Sequence, residues 1–345
     1  MAAETGAAGR APSATGPQVT RAVVQDRYGP PAEVLRLVWQ AVPVPAADEV
    51  LVRVRAVGIN PADVFLTTGR PAMLRVTMGL RRPKHAGCGQ DLAGVVEAVG
   101  PAVTHLRPGD EVFGEVAVTS GAGTLAELVA VPGSVLAPKP ASMSFEEAGA
   151  LPMIGLTALA AMRVAKVGVG TRVLVNGASG GIGHLAVQLA RGLGAEVTGV
   201  CSARNVEMVR SLGATRVIDY TAEDFTRSGE YDVILDNVLN RRLRDVRRVL
   251  APRGILLLNS GNGGPVLGPL PRMAHGMVAS MVSRQTIRVF GAEAATREFV
   301  QLADLVEAGE LRVVVEGAYP LENAAEAFAR VATGHVAGKI VVTVP

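Results

Sequence analysis

A glycine-rich segment near the middle of the chain has the spacing of a phosphate-binding turn. The apolar run Val173 to Val175 predicts a buried strand, and the apolar residues from Leu185 onward predict a helix. The turn between them contains Ser179, Gly180, Gly181, Ile182 and Gly183. We expect Gly180 to permit the tight turn, Gly181 to let backbone N–H groups approach a pyrophosphate, and Gly183 to let the helix pack closely on the strand. Between a strand and a helix, these glycines predict binding of a dinucleotide.

The residues after the next predicted strand, Glu196 to Val200, indicate which nicotinamide dinucleotide is bound. An NAD site usually has Asp or Glu about 20 residues beyond the glycines, where it bonds the ribose 2′-hydroxyl. This chain has Ser202 and Arg204 instead, a hydroxyl and a cation that suit a 2′-phosphate. Tyr220, beyond the following strand, offers a further hydroxyl. We therefore predict NADP(H) as the cofactor; the alternative is that Arg204 caps a helix and Tyr220 only packs.

The composition excludes several classes of protein. The 345 residues are 49% hydrophobic, and their length suggests about two domains. The mean hydropathy is +0.31, but no apolar run reaches the roughly 18 residues of a membrane span. The nearest stretch, between Glu147 and Arg163, contains Pro152 and predicts a buried helix preceded by a loop. Cys88 and Cys201 cannot build a disulfide framework, so we expect a soluble protein of the reducing cytoplasm with no membrane partner.

The densest basic cluster of the chain is made of five arginines between Arg241 and Arg248. Leu243, Val246 and Leu250 recur among them at helical spacing, which predicts the solvated side of an amphipathic helix. No aromatic residues are interleaved for base stacking. We therefore expect no nucleic-acid partner.

Changes of pattern divide the chain into a tail and two domains. Residues 1–20 are mostly Ala, Gly, Pro, Ser and Thr, which predicts a flexible tail without a secretory signal. Residues 21–148 contain short strands between Gly and Pro turns. In residues 149–292, apolar β-branched runs alternate with helical segments, which predicts an α/β domain with a doubly wound parallel sheet. We expect the final strand within residues 293–345 to return to the first domain.

Several motifs together resemble those of zinc-free medium-chain dehydrogenases/reductases, in the quinone oxidoreductase-like branch of NADPH-dependent enoyl and quinone reductases. The resemblance begins at Arg21 and extends to the C-terminus. Its motifs are GINPAD (58–63), DLAGVV (91–96), PGDEVFG (108–114), ALP (150–152) with GLTA (155–158), the glycine turn, and GK (338–339). It implies a GroES-like β-rich catalytic domain, a Rossmann domain inserted into it, an active site in the cleft between the two, and a homodimer.

The resemblance also implies where a catalytic zinc would be held. Asn60 occupies the position of the first family ligand, and the family's His-Glu pair is Gln90-Asp91 in this chain. The stretch after Gly94, where a structural zinc lobe needs four Cys, contains none. We therefore predict no metal, and we interpret Cys88 as a small apolar filler.

Two residues are candidates for the catalytic chemistry. Asn60 is our first candidate to hold the oxygen that gains charge when hydride adds; the alternative is that it fixes the loop before Pro61. His85 is the one histidine placed to act as a general acid near neutral pH, although lone histidines are more often structural. It ends a basic insert, Arg70 to His85, which suits an anionic substrate or forms a solvated lid. None of the four tyrosines follows the Asn-Pro motif, where many relatives have a proton donor.

The resemblance implies further cofactor contacts, and loop packing is the alternative for each: Thr157, Asn237, Val238, Ser260, Phe290 and Lys339. The leading hypothesis is a zinc-independent oxidoreductase that transfers hydride from NADPH to a small α,β-unsaturated carbonyl or quinone substrate. One alternative is a zinc-free alcohol or ketone reductase. Another is a non-redox cyclase or isomerase that keeps NADP(H) as an orienting element.

Overall fold

The computed structural model describes residues 18–117, 121–259, 263–281 and 283–345. The strands in these ranges are β1 (Val19–Val24), β2 (Arg36–Ala41), β3 (Glu49–Ile59), β4 (Asp91–Val99), β5 (Glu111–Glu115), β6 (Leu128–Pro132), β7 (Leu136–Pro138), β8 (Arg172–Asn176), β9 (Glu196–Cys201), β10 (Arg216–Asp219), β11 (Tyr231–Asp236), β12 (Leu250–Leu258), β13 (Thr286–Val289), β14 (Val315–Pro320) and β15 (Lys339–Thr343). The helices are α1 (Pro31–Val34), α2 (Pro61–Thr68), α3 (Leu74–Met78), α4 (Phe145–Ala150), α5 (Pro152–Ala165), α6 (Gly181–Gly192), α7 (Val206–Ser211), α8 (Leu243–Arg248), α9 (Leu270–Met281), α10 (Thr296–Glu307) and α11 (Ala324–Ala332).

Six parallel strands form the sheet of the second domain, in the order β10-β9-β8-β11-β12-β13. This order runs outward from β8 in both directions, which is the Rossmann arrangement. Val173, Val175 and Ile234 are fully buried, as expected for a parallel sheet covered on both faces. The predicted doubly wound sheet is confirmed.

The sheet of the first domain has seven strands, mostly antiparallel, with the path β14-β15-β3-β4-β5-β7 and with β6 paired to β3. β15 lies antiparallel to β3 and places Ile340 opposite Ile59, so the chain does return to the first domain as predicted. β14, which lies parallel to β15, was not predicted. Every second residue of β14 is exposed and its last residue is Pro320, so the segment carries little of the apolar pattern of a strand.

Three expectations about local structure need correction. Residues 1–17 of the predicted tail lie outside the described residues, but its last two residues already belong to β1, where Thr20 is buried opposite Gln40 of β2. The segment before Pro152 is helix α4 rather than a loop, because Ser144 and Glu147 exchange the hydrogen bonds of a capping box. The basic helix α8 ends at Arg248, since Leu250 already starts β12.

The two domains share part of one apolar core. The rings of Phe113 on β5 and Phe299 on α10 meet edge to face, with centroids 5.6 Å apart. Leu302 of α10 also packs so closely on α5 that a Cβ at Gly155 would lie 2.6 Å from its side chain. Helix α10 thus connects β5 of the catalytic sheet with α5 of the Rossmann domain. No helix within the described ranges is long and apolar enough to cross a membrane.

Candidate active site

The glycine turn lies between β8 and α6, as predicted, but its left-handed residue is not the expected one. Gly180 has an ordinary extended backbone (φ −78°, ψ −179°), whereas Gly177 has φ +82°. The expectation that Gly180 permits the tight turn is therefore wrong, because the residue that needs a positive φ directly follows the strand. The expected role of Gly183 is confirmed: a Cβ there would lie 2.0 Å from the carbonyl oxygen of Gly177.

The start of α6 is able to hold an anion. As residues of the first helical turn, Gly181, Ile182 and Gly183 have no backbone acceptor for their N–H groups in the described parts of the chain. These groups and the positive end of the helix dipole converge beside Ser179. A side chain at position 181 would be crowded, since a Cβ on Gly181 would come within 3.1 Å of Ile154 on α5. The turn fits the pyrophosphate of a dinucleotide.

Polar side chains surround the place where the adenosine ribose would lie, at the paired ends of β9 and β10. Ser202 directly follows β9, and its hydroxyl accepts a hydrogen bond from Asn205 Nδ2 (3.3 Å), which also donates to the hydroxyl of Ser179 (3.0 Å). Tyr220 follows β10 and is 39% exposed. Arg204 is exposed, and its guanidinium donates to the carbonyl oxygen of His335. The structure therefore brings these predicted residues to one end of the sheet.

Asn205 was missed from the sequence, although a polar residue that is buried at a helix start is a recognisable feature. The one carboxylate nearby does not take the place of an NAD-specific acid. Asp219 ends β10, but both its oxygens accept hydrogen bonds from Thr221 in its own turn. No carboxylate ends β9.

The remaining predicted cofactor contacts engage their own surroundings. Asn237 donates to the carbonyl oxygen of Asn176 (3.3 Å) and accepts from Asn259 (2.7 Å). The hydroxyl of Thr157 donates to the carbonyl oxygen of Met153 one turn earlier in α5 (2.7 Å). Three further residues complete this group: Val238 packs over Gly177, Phe290 is partly buried against the shared core, and Ser260 lies outside the described residues.

A buried polar cluster connects β3, β4 and β15. We use this name for Asn60, Asp63, Gln90, Asp91 and Lys339, all of which are buried. Lys339 Nζ donates to Asn60 Oδ1 (2.6 Å) and Asp91 Oδ2 (3.3 Å), and Asn60 Nδ2 donates to the same Asp91 oxygen (2.8 Å). Asp63 accepts from the Asn60 backbone N–H (2.8 Å) and from Gln90 Nε2 (3.1 Å). Asp91 and Asp63 were not among our candidate site residues.

The amide of Asn60 is fully engaged inside this cluster. Its oxygen is taken by Lys339, and its nitrogen donates to Asp91 and, more weakly, to the Gly58 carbonyl (3.4 Å). An amide nitrogen has only two hydrogens to donate. The structure therefore favours the alternative interpretation, in which Asn60 fixes the loop before Pro61.

Burial raises the pKa of the carboxyl groups in this region. It raises the pKa of Asp63 to about 6, against the hydrogen bonds from Asn60 and Gln90. Glu115 lies opposite Asp91 across β4 and β5, and burial, followed by repulsion from Asp91 and Asp63, raises its pKa to about 8. Burial also raises the pKa of Asp91, and the ammonium of Lys339 opposes this shift. Lys339 is thus the cation that acts on three neighbouring carboxyl groups.

His85 does not join the buried polar cluster. It is exposed, and its ring packs against Gly121, where a Cβ would lie 2.9 Å from Nδ1. It lines a small cavity of about 50 Å³ whose wall also includes Asp63, Cys88 and Gln90. Burial raises the pKa of the Cys88 thiol to about 12, which agrees with its interpretation as an inert filler.

The basic insert Arg70 to His85 is joined to the Rossmann domain by backbone hydrogen bonds near its start. The N–H groups of Ala72 and Met73 donate to the carbonyl oxygens of Pro265 and Val266, both at 3.0 Å. The sequence suggested either a substrate-binding cluster or a solvated lid. The exposure of Arg81, Arg82 and Lys84 agrees with a solvated segment, and the two bonds join its first residues to the Rossmann domain.

Another histidine, His184, is buried and has a structural role. His184 Nδ1 donates to the carbonyl oxygen of Gly180 (3.0 Å), and its Nε2 accepts from the N–H of Val314 (3.1 Å). Burial lowers its pKa to about 4, so the ring is neutral at physiological pH. It ties α6 to the segment before β14.

The comparisons with known proteins identify the family. Residues 46–141 match the family model "Alcohol dehydrogenase GroES-like domain", and residues 212–342 match "Zinc-binding dehydrogenase". The chain is 34% identical to the Bos taurus protein "NAD(P)H oxidoreductase RTN4IP1, mitochondrial", over 96% of this chain and 91% of the relative. The chain belongs to the medium-chain dehydrogenase/reductase superfamily.

Within the medium-chain superfamily, the chain is quinone oxidoreductase-like. It is 32% identical to the Arabidopsis thaliana "Chloroplast envelope quinone oxidoreductase homolog", over 94% of this chain and 98% of that protein. The solved quinone oxidoreductase of Coxiella burnetii superposes with a TM-score of 0.83 at 27% identity, covering 95% of this chain and all of that one. The protein is therefore a medium-chain oxidoreductase that uses a nicotinamide cofactor.

Proposed function

We propose that this oxidoreductase is zinc-independent and transfers hydride from NADPH to an α,β-unsaturated carbonyl compound or a quinone. The observation that carries the proposal is the buried ammonium of Lys339, which contacts Asn60 and Asp91. By the family resemblance, these residues occupy two positions of the catalytic zinc site. In this proposal, the positive charge of Lys339 takes over the role that a metal would have in polarising the substrate.

The types of side chain at the expected metal-ligand positions also argue against a bound zinc ion. Asn60 and Gln90 stand where the family pattern has Cys and His, and amide side chains are not the ligands that zinc prefers. Across the described ranges, no three His, Cys, Asp or Glu side chains are arranged to hold a metal ion.

The support for NADPH over NADH is the polar group at the ends of β9 and β10. When bound, the cofactor supplies the hydride. The N–H groups of α6 would hold its pyrophosphate, and Ser202, Arg204 and Tyr220 would surround a 2′-phosphate with donors.

The support for this substrate class is both chemical and comparative. Hydride addition to an enone or quinone leaves negative charge on oxygen, which a hydrogen-bond donor can stabilise without a Lewis acid. The relatives include proteins named quinone oxidoreductases, and the solved CurK enoyl reductase superposes with a TM-score of 0.79 at 26% identity, covering 94% of this chain and 99% of that one.

A substrate panel tests the proposal. NADPH oxidation is followed with 1,4-quinones, with 2-alkenones and with saturated ketones, before and after treatment with a zinc chelator. We expect turnover of the first two sets and no effect of the chelator. Turnover of saturated ketones alone, or activity that zinc restores after chelation, contradicts the proposal.

We also propose a homodimer that buries the outer face of α9 together with β13. β13 is an edge strand, and Leu270, Met277, Val278 and Met281 leave an apolar stripe exposed on the helix beside it. Such a stripe next to an open edge is typical of an interface. Light scattering of Met281→Glu and of the unchanged protein tests this; a wild-type monomer, or a dimer insensitive to the substitution, would refute it.

We infer a cytoplasmic location as well. Its support is that both cysteines are buried and free, as suits a reducing compartment. Fractionation of cells that express the full chain checks this, and recovery in an organelle or outside the cell would count against it.

A further inference from the structure

We propose that the ammonium group of Lys339 holds the substrate oxygen during hydride transfer, with Asn60 and Asp91 as its positioning residues. This inference rests on the proposed reaction and deepens it. It gives Lys339 a role other than cofactor binding. Lys339, rather than Asn60, is then the group that touches the substrate.

The hydrogen bonds within the buried polar cluster indicate that Lys339 is the residue able to bind a ligand. An ammonium group has three N–H donors. Asn60 Oδ1 and Asp91 Oδ2 engage two of them, and no acceptor for the third lies in the parts of the chain that the structure describes. The Asn60 amide, by contrast, has no donor left. Lys339 is therefore the member of the cluster that can still donate to a ligand.

The path of the lysine side chain runs along the predicted course of the cofactor. The N–H of Gly338 donates to the carbonyl oxygen of Ser179 (2.7 Å), which ties the start of β15 to the glycine turn. The Cδ atom of Lys339 lies 3.4 Å from where a Cβ on Gly181 would be. From there the chain extends to Asn60 in the catalytic domain. The ammonium thus lies beyond the turn that would hold the pyrophosphate, where the Rossmann and catalytic domains meet.

Asp91 holds this arrangement in place from the opposite side. Its Oδ2 accepts from Lys339 and Asn60, and its Oδ1 accepts from the backbone N–H of Met153 at the start of α5 (3.0 Å). Its three hydrogen-bond partners all donate to it, and these bonds favour the carboxylate form against the effect of burial. Lys339 is 3% exposed, and Asp91 gives this buried side chain an ion-pair partner.

The chemistry balances without any further protein group. The bound cofactor would supply a hydride, and a C–H bond would form at the β-carbon of the enone. The electron pair of the C=C bond shifts to join the α-carbon to the carbonyl carbon, and the carbonyl pair moves onto oxygen. The N–H of Lys339 stabilises this enolate oxygen. The α-carbon then takes a proton from water, which restores the carbonyl and removes the need for a tyrosine after the Asn-Pro motif.

Two variants of Lys339 test the inference against simple cofactor binding. Lys339→Met removes the charge at nearly constant volume, and Lys339→Arg keeps the charge but changes its geometry. We measure kcat and KM for a quinone and an enone, and the Kd of NADPH by its fluorescence. We expect Lys339→Met to lower kcat by about 10²- to 10³-fold, as for loss of an oxyanion donor, with the NADPH Kd within about threefold of wild type.

Lys139→Met is the matched control, because Lys139 is a comparably buried lysine, 5% exposed, that pairs with Glu111 away from the glycine turn. It should lower the melting temperature without lowering kcat. For the positioning residue, Asp91→Asn should lower kcat rather than raise KM, and Asp91→Glu should restore part of kcat.

Other outcomes distinguish a catalytic role of Lys339 from its alternatives. An unchanged kcat with a weakened NADPH Kd in Lys339→Met would make the lysine a cofactor ligand only. If Lys339→Met does not fold, Lys339→Arg decides: a reduced kcat at unchanged NADPH Kd supports the inference, and an unchanged kcat overturns it. A wild-type protein that binds NADPH but reduces no acceptor refutes the proposed reaction itself, and this role with it.

Discussion

The ammonium group of Lys339 lies 2.6 Å from the side-chain oxygen of Asn60, although 279 residues separate them in the chain. This contact closes the buried polar cluster between the two ends of the catalytic domain. Because Asp91 is the acceptor on which both side chains depend, the cluster should be sensitive to loss of that one carboxylate.

Replacement of Asp91 by Asn should destabilise the fold strongly. It leaves a buried ammonium without its counter-charge, which typically costs about 3 to 5 kcal/mol. Chemical denaturation measures the free energy of unfolding. The control is Glu97→Gln, which breaks a half-exposed ion pair with Arg53 and should cost less than about 1 kcal/mol. Equal losses in the two variants would show that the cluster contributes no more than a surface pair.

Replacement of Arg204 by Glu should shift cofactor preference from NADPH towards NADH. Loss of one hydrogen bond to a charged group costs roughly 1.5 to 3 kcal/mol, which corresponds to about tenfold or more in the affinity ratio. The two Kd values are measured by cofactor fluorescence. Arg210→Glu makes the same charge change on α7 and should leave the ratio unaltered. An unchanged ratio in Arg204→Glu would remove Arg204 from the cofactor site.

Replacement of Gly183 by Ala should weaken both the fold and cofactor binding. The new Cβ would lie 2.0 Å from the carbonyl oxygen of Gly177, so the helix must move away from the turn, at a cost of about 2 kcal/mol or more. Gly192→Ala in the same helix meets nothing within 4 Å and should gain up to about 1 kcal/mol. Thermal unfolding and NADPH binding compare the pair, and a harmless Gly183→Ala would contradict the close packing.

Stability should fall as the pH drops from about 6.5 to about 4, in part because of His184. Its pKa is lowered to about 4 in the folded state, so the unfolded chain binds more protons in this window. The difference amounts to roughly 3 kcal/mol at most. The free energy of unfolding of His184→Gln should change less across this range. Parallel pH curves for wild type and His184→Gln would argue against a neutral buried ring; the exposed His275→Gln serves as the control.

Glu115 should act in the opposite sense at higher pH. Its folded pKa is raised from 4.5 to about 8, so the stability it contributes is fully present below about pH 4.5 and is lost as the pH rises through 8. Melting temperatures from pH 5 to 9 should therefore decline less for Glu115→Gln than for wild type. Glu111→Gln, an exposed change on the same strand, should follow the wild-type slope. A Glu115→Gln slope equal to wild type would show that this carboxyl is ionised in the fold.

Much of the architecture was predictable because it depends on local patterns. Buried β-branched runs between helical segments predicted the parallel sheet, and the glycines between β8 and α6 predicted the turn. The prediction went wrong at Gly180 and Gly177, because the type of residue does not reveal which of several glycines takes a positive φ. β14 escaped prediction because its pairing with β15, rather than its own apolar pattern, makes it a strand.

The sequence by itself determined which chemical groups are present at the positions of the site. It showed an amide at Asn60, no acid after β9 and a lysine after Gly338, because these statements depend only on residue type and local spacing. Only the tertiary structure decided what those groups do. The antiparallel register places Ile340 opposite Ile59 and so brings Lys339 next to Asn60. There the Asn60 amide bonds to Lys339 and Asp91, whereas Lys339 keeps a hydrogen-bond donor for a ligand. Such long-range pairing and desolvation arise from the packing of distant segments, which no local pattern records.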